Sequence, residues 1–370
     1  MSRSVEFIDT PESLDHFLDH LETVDMFAID TEFHRERTYY AQLCLIQIAT
    51  EERIVCVDPI ALSDLNRLMD IIFDPRQMKI LHSGSQDLEL FHDLRGDVPA
   101  PVFDTQLAAT LTGHGDQIGY GGIVERICEI SLAKEHTRTD WRKRPLSQGQ
   151  LDYAADDVRY LHTIQSQLTD LLESLGRMDW FHEECARLVD PQSFKNAPED
   201  AWSRVKGVGK LRGAELNAAR VIAGWREEQA IRIDKPRRWV IPDPVILDIA
   251  RVSSDSPQDI DKVEGLSSPW LRRQKDTFLH LLKLAHNAPR DTWPSREGRP
   301  RLTPGEEQMM KAMQNAVKAC AEELNISATM LATRRDLDSM LRGSTETRIH
   351  RGWRRTVVLQ RLESSMQAPS

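Results

Sequence analysis

The chain has 370 residues, 40% of them hydrophobic and 29% charged, the balance of an ordinary soluble globular protein and long enough for two or three domains with buried cores. No stretch offers the roughly 18 uninterrupted apolar residues of a bilayer span, and the N-terminus lacks an apolar leader-like run, so a cytoplasmic protein without a membrane partner is expected. The net charge of −10 speaks against a uniformly basic nucleic-acid binder.

In chain order, the first block opens with short β-branched and apolar runs, Met26–Phe33, Leu43–Ala49 and Ile54–Val57, separated by polar turns. A strand-like Lys79–His82 and helical stretches follow, which predicts a mixed α/β domain. Within the first run, Asp30 and Glu32 stand at i and i+2, on one face of a strand because side chains alternate. Two adjacent anions on an apolar strand repel each other unless a cation neutralises them. Their hard oxygen donors suit Mg²⁺ or Mn²⁺ better than zinc, whereas a solvated strand end is the plainer alternative.

A second acid, Asp87, comes after Lys79-Ile80-Leu81-His82-Ser83-Gly84, where a strand runs through a Gly/Ser turn into a helix carrying Leu88, Leu90 and Phe91. Taken alone, Asp87 reads as a carboxylate favoured by a helix N-terminus. Asp104, after a short apolar run, reads as structural. Next, Leu151, Ala154, Ala155, Val158 and Leu161 form the apolar side of a helix on which Tyr153 and Asp157 stand one turn apart. A phenol so placed could orient a water held by a carboxylate-bound metal, though such pairs are common on ordinary helices. Only Asp157 can lie directly above Tyr153. Asp156, rotated about 100°, is expected to face solvent or pair with an arginine.

Asp190–Asp200 and the proline-containing stretch Asn287–Glu306 read as linkers. Beyond residue 200 helical periodicity takes over, in Leu216, Ala219, Ile222, Ala223 and Ala230 and again in Phe278, Leu281, Leu282 and Ala285, predicting two small all-α bundles. Cys320 continues a stripe of Met310, Met313, Val317 and Leu324 and is expected in the core. The five cysteines are odd in number and include no Cys-x-x-Cys pair, so neither a disulfide framework nor a thiolate zinc site is indicated. Charge is unevenly spread: residues 1–60 hold 13 acids against 4 bases, while Arg204–Arg238 hold 10 bases against 4 acids, Thr333–Arg355 7 against 3, and Lys134–Arg144 5 against 2. Locally basic surfaces beside an acidic body are thus compatible with RNA, and solvated helix faces would explain any one of them.

In series, Asp30-x-Glu32, Asp87 and Tyr153-x-x-x-Asp157 resemble the three exonuclease motifs of the DEDD superfamily in its tyrosine-containing subclass. Thr38-Tyr39, Leu45-Ile46-Gln47-Ile48, Leu81-His82-Ser83-Gly84, Phe103-Asp104-Thr105-Gln106 and Asp140-Trp141-Arg142-x-Arg144-Pro145-Leu146 resemble ribonuclease D in particular. Trp225-Arg226-Glu227-Glu228, Asp234-x-Pro236-Arg237-Arg238 and Ile249-Ala250 resemble the HRDC module, a helical nucleic-acid-binding domain. Leu331–Leu337 and Gly352–Arg355 resemble, more loosely, a second such module.

The resemblance implies an α/β exonuclease domain over residues 1–190, with a ribonuclease H-like mixed sheet and flanking helices, then HRDC-type domains over 201–287 and 303–368. It further implies 3′→5′ exoribonuclease action by a two-metal mechanism with two Mg²⁺ or Mn²⁺ ions, nucleoside 5′-monophosphate products and tRNA 3′ trailers as substrates. Asp30 would bridge both ions, Glu32 and Asp157 hold one, Asp87 support the other, and Tyr153 position the nucleophile. No obligate protein partner is evident. The rivals are a DNA-directed DEDD exonuclease, a non-catalytic RNA-binding protein on a nuclease fold, and an acidic protein-interaction surface that would leave the ordered motifs unexplained.

Overall fold

The computed structural model describes residues 4–133, 139–253, 257–267, 269–295 and 302–367. Lys134–Arg138 of one basic stretch, residues 296–301 of the second linker and residue 368 of the last expected domain lie outside these. The chain divides into two compact units: one takes the described residues of Met1–His34, Leu43–Ser193 and Arg301–Ser370, the other those of Arg35–Gln42 and Phe194–Pro300.

The first unit is built on a six-stranded mixed sheet of order β1-β4-β3-β2-β5-β6, with β1 Val5–Ile8, β2 Met26–His34, β3 Gln42–Ala49, β4 Ile54–Val57, β5 Met78–Leu81 and β6 Val102–Asp104. β1 pairs parallel with β4, β2 with β5 and β5 with β6, whereas β3 and β4 are antiparallel. β2 is internal to the sheet, and its Phe27-Ala28-Ile29 run is buried on both faces, as a covered central strand requires. The strands β1 and β6, of four and three residues, are additional to the four expected.

Helix Gln148–Arg159 opens with a capping box between Ser147 and Gln150, which satisfies two helix-terminal donors. It lays Ala154, Ala155 and Val158 on the sheet, packing against β2 and β4. Small side chains on that face allow the close approach that brings Tyr153 and Asp157 to the sheet.

One continuous core runs from Ala28, Ile80 and Phe103 through Ile164, Leu168 and Phe181 to Met313, Val317, Cys320, Leu337 and Trp353. The C-terminal helices thus share a core with the exonuclease block, where the sequence reading drew a separate third domain. Helix Met178–Leu188 joins them. Arg354, fully buried, donates to Glu184 Oε1 at 2.5 Å and to the Met330 carbonyl at 2.7 Å, while Trp353 donates from its indole to the same Glu184 oxygen at 3.0 Å. Trp353 stacks on Trp180 at 4.5 Å between ring centroids, with Arg354 and Arg177 over Trp353 and Trp180 respectively. Gly352, at φ 51°, lies so close to the Glu183 carboxylate that a Cβ would collide with it.

In the second unit, helix Gly213–Arg232 buries Leu216, Ala219, Ile222, Ala223 and Ala230 and packs against Lys275–Asn287, as the periodicity predicts. The unit also captures Arg35–Gln42, which the sequence reading kept with the exonuclease domain. The Asp234 carboxylate accepts the backbone N–H groups of Tyr39 and Tyr40 at 2.9 and 3.1 Å, and the Tyr39 hydroxyl donates to Glu227 at 2.5 Å. All five cysteines are free thiols, four of them buried.

Burial pushes the Glu184 carboxyl up, but hydrogen bonding and charge from Arg354 outweigh it and leave it below its ordinary value. The pair's stabilisation is therefore present above the unfolded carboxylate pKa and is lost as pH falls through the folded value. Arg354→Met, which leaves Glu184 only the half-exposed Arg187 at 3.3 Å as an ionic partner, should cost up to about 3–5 kcal/mol in urea unfolding near neutral pH. That deficit should shrink on the acid side, and an equal deficit at all pH values would assign the loss to packing alone.

Candidate active site

Asp30-Thr31-Glu32 lie in the second half of β2, just past its pairing with β5, whose chain continues through Ser83-Gly84 into helix Ser85–Arg95 and Asp87. Ser83 has φ 59°, and a Cβ on Gly84 would lie 2.9 Å from the Leu81 side chain, so only glycine fits there. Asp104 fixes this turn, accepting the N–H of Gly84 at 2.9 Å and capping its own helix through the N–H groups of Gln106 and Leu107 at 2.8 and 3.1 Å. Its role is to place Asp87, consistent with the structural reading.

Carboxylate oxygens of Asp30, Glu32 and Asp157 all lie within 4.8 Å of one another. With Asp87 and Tyr153 they line a cavity of about 340 Å³. Asp87 is buried and accepts a hydrogen bond from the Thr31 hydroxyl, so it adjoins the trio rather than joining it. Asp156 points elsewhere and pairs with Arg159 at 2.6 Å.

Burial and the neighbouring charges of Asp87, Asp157 and Glu32 hold Asp30 well above the usual carboxylate range. Burial, then Asp157 and Asp87, lift Glu32 to about 8. Burial and Asp156 lift Asp157 to about 7. Asp87 rises to about 6 through burial, against the lowering by the Thr31 hydroxyl. Such a cluster can stay ionised at neutral pH only beside cations, and its donors are all hard oxygens, which fits a divalent ion of the Mg²⁺ or Mn²⁺ kind. Tyr153, raised to about 12 by burial and then by Asp157, keeps its proton at neutral pH.

The loop ahead of this helix supports Tyr153 from behind. Trp141 is buried with its ring 6.2 Å from that of Tyr153, and Arg144 clamps the loop to the sheet through Asp58 at 2.6 and 2.7 Å and the Cys44 carbonyl at 2.7 Å. The cavity also takes in His82, Gln86 and Tyr120, which sequence reasoning did not assign to the site. Both His82 ring nitrogens are engaged, with the Thr105 hydroxyl and the Ile118 carbonyl at 2.9 Å each. His82 stood within a quoted motif and was legible as a neighbour, whereas Tyr120 carried no such signal. A larger cavity of about 710 Å³, lined by Met178, Phe181 and Val189 among others, is mainly apolar and brings no acid cluster together.

A 3′-5′ exonuclease family model matches residues 5–173 and an HRDC domain model residues 215–291. The chain is 35% identical to a ribonuclease D of Sphingobium indicum, with 94% of this chain and 90% of the relative covered. It is 32% identical to ribonuclease D of Escherichia coli over 98% of both. The crystal structure of Escherichia coli RNase D, an exoribonuclease involved in structured RNA processing, superimposes with a TM-score of 0.86 at 31% identity, covering 99% of each chain.

A cation-neutralised cluster has a stability signature. Divalent cation should raise the wild-type Tm, by the equivalent of about 2.7 kcal/mol at a hundredfold excess over Kd. Asp30→Asn, relieved of one repelling charge, should melt higher than wild type in EDTA and gain less from cation. A wild-type Tm indifferent to Mg²⁺ and Mn²⁺ would contradict the cation site.

Proposed function

The chain belongs to the ribonuclease D family of 3′→5′ exoribonucleases, and from that premise we propose that it trims structured RNA, tRNA precursors foremost, releasing nucleoside 5′-monophosphates in the cytoplasm. The observation that carries this reading is the convergence of Asp30, Glu32 and Asp157 within 4.8 Å, in one cavity with Asp87 and Tyr153. None of the described helices is long and apolar enough to cross a membrane.

Two ions, Mg²⁺ or Mn²⁺, held by Asp30, Glu32, Asp157 and Asp87, would supply charge neutralisation at the scissile phosphate and an activated water. Asp30, which faces the charges of all three other acids, would be a ligand the ions share, as the family resemblance implies. Glu32 and Asp157 would hold the ion that activates water, and Asp87, tied to Thr31, would support the other. Tyr153 would orient that water through its phenol, with the buried Trp141 ring 6.2 Å behind it. Residues 201–287, as an HRDC-type domain, and 303–368, as a second HRDC-like domain packed on the exonuclease unit, hold the body of the RNA through phosphate contacts.

Purified protein with a 5′-labelled 3′-extended tRNA and Mg²⁺ should shorten it stepwise, and EDTA should stop the reaction. Equal degradation of a matched single-stranded DNA would point to a general exonuclease, and tight binding without shortening to a non-catalytic protein. Asp30→Asn should abolish hydrolysis with the fold retained, and near-normal rates would remove the metal reading. Tyr153→Phe should lower turnover by about 10² to 10⁴-fold. A larger effect on affinity than on kcat would contradict its orienting role.

A further inference from the structure

The second unit contains a cavity of about 430 Å³ whose lining includes Arg35, Arg204, Arg226, Arg237 and Arg238. We propose that this pocket is a subsite for a backbone phosphate of the RNA, read without regard to base. The ligand's identity rests on the exoribonuclease reading, whereas the pocket stands on its own geometry.

Five guanidiniums in one cavity repel each other, so the carboxylates around them decide what the pocket wants. Glu36 and Asp243 belong to the lining. Glu227 lies behind it, fully buried, gripping Arg237 at 2.5 and 2.6 Å and Arg204 at 3.5 Å. Asp243 takes Arg226 at 2.5 Å. Among the described residues Glu227 and Asp243 engage Arg237, Arg204 and Arg226, while Arg238 adds a further positive charge to the lining, in a chain whose net charge is −10.

Two of the cations have donors to spare. Arg226 is buried, and its Nε–H has no acceptor among the described residues, an arrangement that is costly while it stays unmet. Arg238 is exposed and makes no ion pair among the described residues. A phosphate offers several acceptor oxygens and suits the planar guanidinium fork.

The pocket is also built for rigidity. Arg237 lies over the Tyr39 ring at 4.8 Å, Tyr39 donates to Glu227, and Asp234 holds the Tyr39 and Tyr40 amides. These bonds fix Arg35–Gln42 as one wall, and that segment is the direct chain continuation of β2, which carries Asp30 and Glu32. A phosphate seated here would therefore engage the segment into which the metal-binding strand runs.

The test is fluorescence anisotropy of a 5′-fluorescein, twelve-residue oligoadenylate and its oligouridylate counterpart with the full chain in EDTA, across a salt series. Arg204→Ala with Arg238→Ala should weaken binding by about tenfold on both sequences, as removal of phosphate-binding cations does. It should also flatten the slope of log affinity against log salt by about 0.7 for each phosphate of a single strand that is no longer neutralised. Asp234→Ala, which frees the wall without removing a cation, should weaken binding too, whereas Lys262→Ala, outside the pocket, should not.

Unchanged affinity and slope in the double variant, an equal loss from Lys262→Ala, or a loss confined to one base sequence would each overturn the proposal. Failure of the wild type to shorten RNA in Mg²⁺ would instead sink the exoribonuclease reading, and the anisotropy series would still decide the pocket.

Discussion

The exonuclease unit is organised around a repulsion. Asp30, Glu32, Asp87 and Asp157 share one cavity, and burial raises the proton affinity of each, with the charges of neighbouring acids adding to it. Left to themselves, such groups would swing apart into solvent. Asp30 and Glu32 cannot, because β2 is flanked by β3 and β5, and Asp157 cannot, because its helix is anchored by the buried face of Ala154, Ala155 and Val158. The core supplies the free energy that holds the acids together, an arrangement found where charge is kept for function.

Acids of the same type elsewhere in the unit meet the opposite fate, and the comparison shows what distinguishes a site from a scaffold. Burial pushes Asp58 up, yet the Arg144 guanidinium and the N–H groups of Ile60 and Ala61 pull it below the usual range. Asp104 is almost fully buried and accepts backbone N–H groups from two segments. Each has its donors supplied by the protein. The site acids mostly face other acids, so a cation from outside must complete them.

The sequence exposes the site better than the scaffold around it. Asp30 and Glu32 were readable because a strand's two-residue period places them on one face, and Tyr153 and Asp157 because a helical turn does the same. Asp87 reads only as a helix-start acid until the ordered series is assembled, since its approach to the others depends on a turn held by Asp104. Two strands, β1 and β6, were missed, though β1 is no shorter than β4 or β5, which the sequence did show. The capture of Arg35–Gln42 by Asp234 and Glu227 was hidden because it joins residues some 195 positions apart, and no local pattern encodes such a partner.

The path of the chain gives the two units a dependence that a row of beads would lack. The polypeptide leaves the exonuclease unit after His34, contributes a wall to the second unit, and comes back at Leu43. It leaves again after Ser193, and from Arg301 onward it belongs once more to the first unit, where Trp353 and Arg354 close onto Glu184 and Trp180. A chain cut before the C-terminal helices would uncover the Trp180 ring and deprive the buried Glu184 carboxylate of Arg354 and the Trp353 indole, leaving it only Arg187. The C-terminal segment is thus part of what folds the exonuclease unit, whatever RNA it also touches, and a loss of activity on truncation would by itself say nothing about nucleic-acid binding.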